Sequence, residues 1–425
     1  MTAPTPTVVA PAPVRRGTGV LPAWPLLSLF WGLPLFWASG ALQFAPTVLA
    51  VVMLLLLLLQ RREVRVPWPA WVLGAFLLWM LASSVQIDSV GSWAGFALRW
   101  INLAAALVYV VYYWNARQSL DHRRFLRAAV VAWATLVGLG LLTFVIPEAR
   151  LTTPVGLLLP QGITSNALVQ NYFFPPLAEV QLPWGAPEAY NRPAAPFPYT
   201  NGWGSGFVIL TPLVLAYLTT VRFRPRHLLV VAGLLASLAP AVATTNRGMF
   251  LALGLALGYV LVRMVLRGRV GIALAGGGAV AAVGAWLVAS GAVERILGRQ
   301  EYSDSTGTRS DLYRDTFLAT LKAPLLGYGA PVYDETVGIE MGTQGYVWTL
   351  MFCYGLVGLG LFMAYLHGTT LATLRARTTT GILVHAVPVA ACVFFTFYGL
   401  DAVQFILISL SLAVLLRSRR YGEGL

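Results

Sequence analysis

Charge is what this chain lacks. Charged residues make up 11% of its 425 residues and hydrophobic residues 58%, whereas soluble domains carry roughly a quarter charged residues. An ordinary soluble domain is therefore excluded. Lysine is almost missing: Lys322 is the single one, and the other basic side chains are arginines. Cysteine is equally scarce. Cys353 and Cys392 both fall in apolar stretches, so no disulfide framework and no cysteine metal motif follows. Ten-residue segments of alternating polarity are absent, which excludes a membrane barrel. No HExxH, DxD, P-loop or GxSxG occurs, which weighs against a metalloprotease, a nucleotide-sugar enzyme, an ATPase and an esterase.

Long apolar runs are what the chain has in abundance. Mean hydropathy is +0.72, and the runs recur from Leu21 to Leu416. They predict an all-α fold, a polytopic transmembrane helix bundle of about 12 spans with two long outer-face loops. The spans read as 22–40, 43–59, 68–86, 95–114, 128–146, 204–220, 228–244, 249–266, 270–290, 346–366, 382–400 and 402–416. Residues 1–20, rich in Pro, Ala and Thr, read as a disordered N-terminus. The bundle occupies 21–416 and a short tail 417–425. Arg15–Arg16 precedes the first run in the manner of a signal peptide, but the many later spans favour a retained helix. Gly254 and Gly258 form a GxxxG, which predicts close packing of the eighth and ninth spans.

The net charge of +13 raises the question of nucleic acid. The arginines, however, cluster in short segments between apolar runs, which is the orientation signal of a membrane protein. Nucleic-acid binding is not expected. Counted from an inside start, 20 basic residues fall on inner segments and 8 on outer ones, with Arg99 inside a span. Both termini are thereby placed in the cytoplasm. Every inner loop is short. Two outer loops are long, 147–203 and 291–345, and ordered loops of that length usually carry function. The work is expected at the outer membrane face, away from cytoplasmic nucleotides.

The second loop is the most charged part of the chain. Its 309–322 segment predicts an amphipathic helix capped by Thr308, with an apolar stripe of Leu312, Tyr313, Phe317 and Leu321. Arg309 reads as a functional side chain. Arg314 reads either as an anion ligand or as a surface partner of Asp311. Arg247, in ATTNRGMF, sits at a tight turn between spans and suits bidentate phosphate binding, where the plain alternative is snorkelling to headgroups. Arg192, before Pro193, either folds back over the bundle or is a solvated loop residue. Arg99, in FALRWINL, is an intramembrane charge and a functional candidate for that reason. Together Arg99, Arg192, Arg247 and Arg309 would form an anion site fit for a diphosphate with a lipid tail. The histidines, His122, His227, His367 and His385, all lie in inner loops or near inner span ends. The work of an outer general base would then fall to a carboxylate such as Asp304, Asp311, Asp315, Asp334, Glu335 or Glu340, or to no residue at all.

Three segments carry a resemblance to a known family. They are RPAAPFPYTNGWG, TTNRG, and the Arg309-x-x-x-Tyr313 helix followed by PLLGYG and GTQGYVWTLMFCYGLVG. Over about Tyr190 to Tyr365 the chain resembles the O-antigen ligase and O-antigen polymerase family of polytopic glycan transferases. The resemblance implies transfer of an oligosaccharide from a polyprenyl-diphosphate carrier to a glycan or lipid acceptor hydroxyl. It implies the outer side of the bacterial cytoplasmic membrane, with no nucleotide, cofactor or essential metal. Arginines matching Arg192, Arg247 and Arg309 would hold the diphosphate, joined by Arg99 and Arg314 as candidate ligands. Arg247, Arg309 and Gln344 are the candidate catalytic residues. Gln344 stands where the family has its histidine and Gly345 where asparagine often follows; glutamine can hydrogen-bond a hydroxyl but does not take its proton. This departure favours polymerase over ligase. Two other readings stand beside it: a transporter or flippase for an anionic lipid-linked solute, and a non-catalytic scaffold of envelope assembly.

Overall fold

The computed structural model describes residues 20–60, 63–182, 189–298, 305–334, 339–343 and 345–425. The chain is mostly helical. It begins with α1 (Trp24–Trp31), α2 (Leu33–Ser39), α3 (Ala45–Leu59), α4 (Trp68–Ser83), α5 (Val90–Asn115) and α6 (His122–Leu142). The first long loop carries the short helices α7 (Pro154–Leu157), α8 (Gln161–Thr164) and α9 (Ala167–Phe173), then a hairpin of β1 (Ala178–Gln181) and β2 (Tyr190–Pro193). Next come α10 (Thr200–Thr220), α11 (His227–Ala236), α12 (Leu238–Ala243), α13 (Arg247–Leu266) and α14 (Val270–Ala289). The second long loop holds α15 (Ala292–Gly298), α16 (Ser305–Thr320) and a small hairpin of β3 (Val332–Asp334) with β4 (Ile339–Met341). The chain closes with α17 (Tyr346–Met363), a π-turn at Ala364–Gly368, α18 (Thr369–Thr373), α19 (Thr379–Phe394) and α20 (Ala402–Tyr421).

Among the described residues, eight helices are long and apolar enough to cross a membrane, and three shorter apolar helices, Ala45–Leu59, His227–Ala243 and Thr379–Phe394, lie beside them. Starts are set by local chemistry. Ser89 caps α5 by accepting from Ser92 N–H, and Asp121 caps α6 by accepting from Arg124 N–H at 2.7 Å. Helix α10 is the hub, packed by α6, α19, α13 and α20. It and α20 are the most buried of the long helices, while α14 touches little besides α13 and α15 and leaves almost all of its surface exposed.

Several expectations change in detail. The first predicted span is two helices, broken at Gly32 with Pro34 just after it, and the seventh is divided at Ser237 ahead of Pro240. Proline removes a helical N–H in both places. The GxxxG does not form a packing seam. A side chain at Gly254 or Gly258 would meet open space, and the close approach of α13 to α14 is instead Gly276 against Leu261. Helix α16 starts at Ser305, so Thr308 lies inside it rather than at its cap. Its buried row is Leu312, Thr316 and Thr320, and Phe317 and Leu321 face outward. The docking face is selected by Tyr313, which stacks on Trp348 of α17 with ring centroids 4.2 Å apart.

Helix α17 is interrupted at Gly355 (φ 69°, ψ −176°). The break frees backbone groups that must be satisfied where no water reaches. The segment PLLGYG does this. Tyr328 N–H and Gly329 N–H donate to the carbonyls of Phe352 (3.0 Å) and Cys353 (2.7 Å), and Leu356 N–H donates to Pro324 (2.7 Å). The indole of Trp79 takes the carbonyl of Tyr354 at 3.0 Å. The glycines of PLLGYG and CYGLVG are thus explained by contact between the two segments. A Cβ on Gly355 would collide with the Leu325 carbonyl, and one on Gly327 with the Phe352 carbonyl.

Candidate functional site

The two long loops meet at one end of the bundle, where α10, α13, α17 and α20 all begin. Helix N-termini carry partial positive charge and favour anions. Two adjacent cavities open there and share Tyr199 as a common wall residue.

The smaller cavity, about 300 Å³, lies between the β1–β2 hairpin and the α12–α13 turn. Register pairs Glu179 with Arg192 across the hairpin. Arg192 is buried. Its Nε donates to the Thr244 carbonyl at 2.7 Å, its Nη1 donates to Gln181 Oε1 at 3.1 Å, and Nη1 lies 3.9 Å from Glu179 Oε1. Glu179 Oε2 in turn accepts from Thr200 N–H at 3.2 Å, at the start of α10. Arg192 therefore folds back over the bundle and fastens the first loop to the turn that presents Arg247.

That turn explains TTNRG residue by residue. Thr244 supplies the carbonyl for Arg192, and its hydroxyl accepts from Asn246 N–H. Thr245 adopts a left-handed backbone (φ 48°), a costly conformation for a β-branched residue. Asn246 caps α13 by accepting from Met249 N–H at 3.0 Å, accepts from the Tyr398 hydroxyl, and donates to Asn201 Oδ1 at 3.3 Å. Gly248 leaves room for the Tyr398 hydroxyl. Arg247, first residue of α13, lines the cavity, half-buried.

The larger cavity, about 640 Å³, is lined by Arg99, Asn102, Tyr199, Glu340, Thr343, Tyr346 and Asp401, and by apolar groups including Leu103, Leu400 and Phe405. Arg99 Nε donates to the Tyr354 hydroxyl at 3.4 Å. Its Nη2 and the Oδ1 of Asn102 are buried with no hydrogen-bond partner among the described residues. Asp401, the N-cap of α20, forms a capping box with Gln404 and accepts from the Tyr172 hydroxyl at 3.3 Å. Desolvation pushes its carboxyl up to about 6, and the Tyr172 bond offsets part of that rise. Burial also pushes the Tyr172 phenol upward, with Asp401 adding to the effect.

The structure thus brings Arg192 and Arg247 to one cavity and Arg99 to its neighbour. Arg314 is exposed on α16 and lines neither, and forms no ion pair with Asp311. Arg309 lies within α16, but its side chain, like Gln344 and the carboxylates Asp304 and Glu335, falls outside the described residues. So does the side chain of Asp334. Of the other candidate bases, Glu340 lines the larger cavity, while Asp311 and Asp315 are exposed on α16. No histidine lines either cavity; His385, for example, is held within the bundle between the Tyr259 hydroxyl and the Thr370 carbonyl. Among the described residues no group of His, Cys, Asp and Glu is arranged to hold a metal ion.

Sequence reasoning missed Asp401, Asn246 and Tyr199. A signal for Asp401 was available in LDAVQFIL, where an aspartate three residues before a glutamine opens an apolar run. Neither a comparison with protein-family models nor one with curated proteins finds a match for this chain.

Proposed function

We propose that this protein is a membrane glycosyltransferase. It moves or polymerises oligosaccharide units from a polyprenyl-diphosphate carrier, in the manner of the O-antigen polymerases and ligases. The reading places about twelve crossings in the bacterial cytoplasmic membrane, both termini in the cytoplasm and the two cavities on the outer side. The single observation that carries it is the larger cavity. One space is lined by an arginine, Arg99, by Asp401 with its raised carboxyl pKa, and by an apolar wall.

The chemistry follows from those groups. Ionised Asp401 accepts the proton of the acceptor hydroxyl. The hydroxyl oxygen attacks the anomeric carbon of the donor sugar, and the bond from that carbon to the phosphate oxygen breaks. The electron pair leaves on the polyprenyl diphosphate, whose charge is met by arginine and by the helix N-termini. The proton passes from Asp401 to water. No metal is required for this charge balance.

The alternative is a transporter or flippase of an anionic lipid-linked solute. Interrupted helices mark the ion and substrate sites of many transporters. Here the groups freed at Gly355 are bound by residues 324–329 and Trp79, so the interruption offers no coordination site.

Reconstitution in lipid with one substrate, a polyprenyl-diphosphate bearing a single glycan repeat, tests the proposal. A product ladder means polymerase. Transfer only when a separate lipid or glycan acceptor is added means ligase. No product in either case, with folded protein and substrate movement across the bilayer, means the transporter.

A further inference from the structure

Asp401 borders a second space besides the larger cavity. A cleft of about 30 Å³ lies between the α2–α3 connection and α9, lined by Trp37, Gln43, Asn171, Tyr172, Phe197 and Asp401 among others. That volume holds a water or two and no sugar. Asp401 and Ala402 line both spaces, so the start of α20 is the partition between them. The polar groups of the cleft have bonding capacity to spare. The Gln43 side chain makes no hydrogen bond among the described residues, and Asn171 uses only Oδ1, which accepts from Arg150. Both side chains are half-buried, and neither amide is sealed from solvent. The Tyr172 hydroxyl donates to Asp401 Oδ1 at 3.3 Å. Asp401 Oδ2 lies beside Gly202, where a side chain would come within 3.2 Å of it, so glycine leaves that oxygen uncovered on this side. A carboxylate that takes up a proton has to release it before the next turnover. In the transferase reading, donor and acceptor fill the larger cavity at that moment and displace its water. The cleft is then the face of Asp401 left to solvent. The Gln43 amide offers a water there either an acceptor or a donor, which suits both protonation states of Asp401.

We propose, resting on the glycan-transferase reading, that the cleft is a water site through which Asp401 passes on the proton it takes from the acceptor, with Tyr172 and Gln43 as positioning residues. Tyr172 holds the carboxyl and Gln43 holds the water. The O–H bond on Asp401 breaks and its electron pair stays on the carboxylate. The proton forms an O–H bond on the cleft water and leaves past Gln43 and Asn171 to bulk solvent. The titratable groups around Asp401 are Tyr172 on α9 and, from the larger cavity, Arg99 on α5, Tyr199 before α10, Glu340 on β4 and Tyr346 on α17; the cleft itself adds only Tyr172.

The test uses the full chain in lipid nanodiscs. The infrared carbonyl band of protonated Asp401, identified by its loss in Asp401→Asn, is titrated with pH in the absence of substrate. Tyr172→Phe removes a hydrogen bond that favours the ionised form, and the midpoint is expected to rise by about one pH unit. Gln43→Leu breaks no hydrogen bond among the described residues and is expected to raise the midpoint by drying the cleft. An unmoved midpoint in Gln43→Leu overturns the water site, and an unmoved midpoint in Tyr172→Phe overturns its positioning role. With donor and acceptor supplied, Gln43→Leu is expected to lower kcat about tenfold at unchanged KM and to raise the solvent deuterium isotope effect. A kcat and isotope effect equal to those of the wild type would send the proton out through the larger cavity and overturn the exit route. Wild-type protein that titrates as expected but transfers no glycan refutes the transferase reading instead, because the midpoints are measured without substrate.

Discussion

At the scale of single residues, the consequential group is Asp401. Its raised carboxyl is a liability to the fold when ionised. A raised acid contributes full stability below its unfolded value, near 4, and that contribution is lost as pH rises through about 6. For catalysis the sign is opposite, because a proton acceptor works only when ionised. Transfer activity is expected to climb with an acid limb near pH 6 and to level off above it. Asp401→Asn should remove that limb and lower kcat by about 10²- to 10⁴-fold, while raising thermal stability at neutral pH. A pH–rate profile beside melting curves at pH 5 and 8 checks both signs. The sequence drew attention to arginines that the fold places at these cavities, because guanidinium groups between apolar runs are conspicuous. It did not show that Arg192 spends its donors on Thr244 and Gln181, nor that Asn246 joins Asn201 and Tyr398. Those bonds join positions far apart along the chain, and no local spacing reports them.

At the scale of elements, the interrupted α17 and the 324–329 segment form one unit. Gly355 (φ 69°, ψ −176°) sits in a positive-φ extended region that is essentially glycine-only and costs other residues about 1–3 kcal/mol, and its missing Cβ is the space that the Leu325 carbonyl fills. Gly355→Ala is therefore expected to displace PLLGYG, expose the Phe352 and Cys353 carbonyls and abolish the folded protein. Gly360→Ala, with open space at its Cβ, should be tolerated. Fluorescence-detected size exclusion of the two variants separates these outcomes. In the sequence PLLGYG stands just after the predicted 309–322 helix, and its partner lies some thirty residues away in what reads as an unbroken apolar span. The divided first and seventh spans escaped notice for a related reason: hydropathy averages across a kink, and only the placement of Gly32, Pro34 and Pro240 betrays it. The α16 helix was legible as a helix, while its docking face depended on Tyr313 finding Trp348.

At the scale of the whole molecule, apolar runs alone were enough for the helical bundle, because a helix in lipid must be apolar over its length whatever it packs against. The ends of the bundle are also distinct. Opposite the candidate site, a cavity of about 660 Å³ is bordered by Val20, Arg117, Tyr421 and Glu423, so the first described residue and the C-terminal tail lie together. Arg417, fully buried, binds the Tyr113 hydroxyl at 2.9 Å, the backbone of Tyr113 and Leu120, and Glu423 at 2.9 Å. This fastens the tail to the α5–α6 connection. On the proposed topology, single cysteines introduced at Arg150 and at Arg420, in a background with Cys353 and Cys392 replaced, should label from opposite sides of intact cells. The site at 150 would react with an impermeant maleimide and the site at 420 only after lysis. Labelling at 420 from outside and at 150 only after lysis would reverse the arrangement, and labelling of both from outside would overturn the opposite-side topology.

The exposure of α14 has a consequence of its own. A helix that leans on one long neighbour and shows apolar side chains on nearly every other side is held in place by whatever surrounds it, not by the bundle. Its persistence is then a property of the solvent. In a bilayer it is as secure as any span, and in a short-chain detergent α14 is expected to be the first part of the protein to loosen, while α13, held by α19 and α10, and the enclosed α10 and α20 keep their order. The choice of detergent, more than any substitution within α14, decides whether purified material retains the whole bundle.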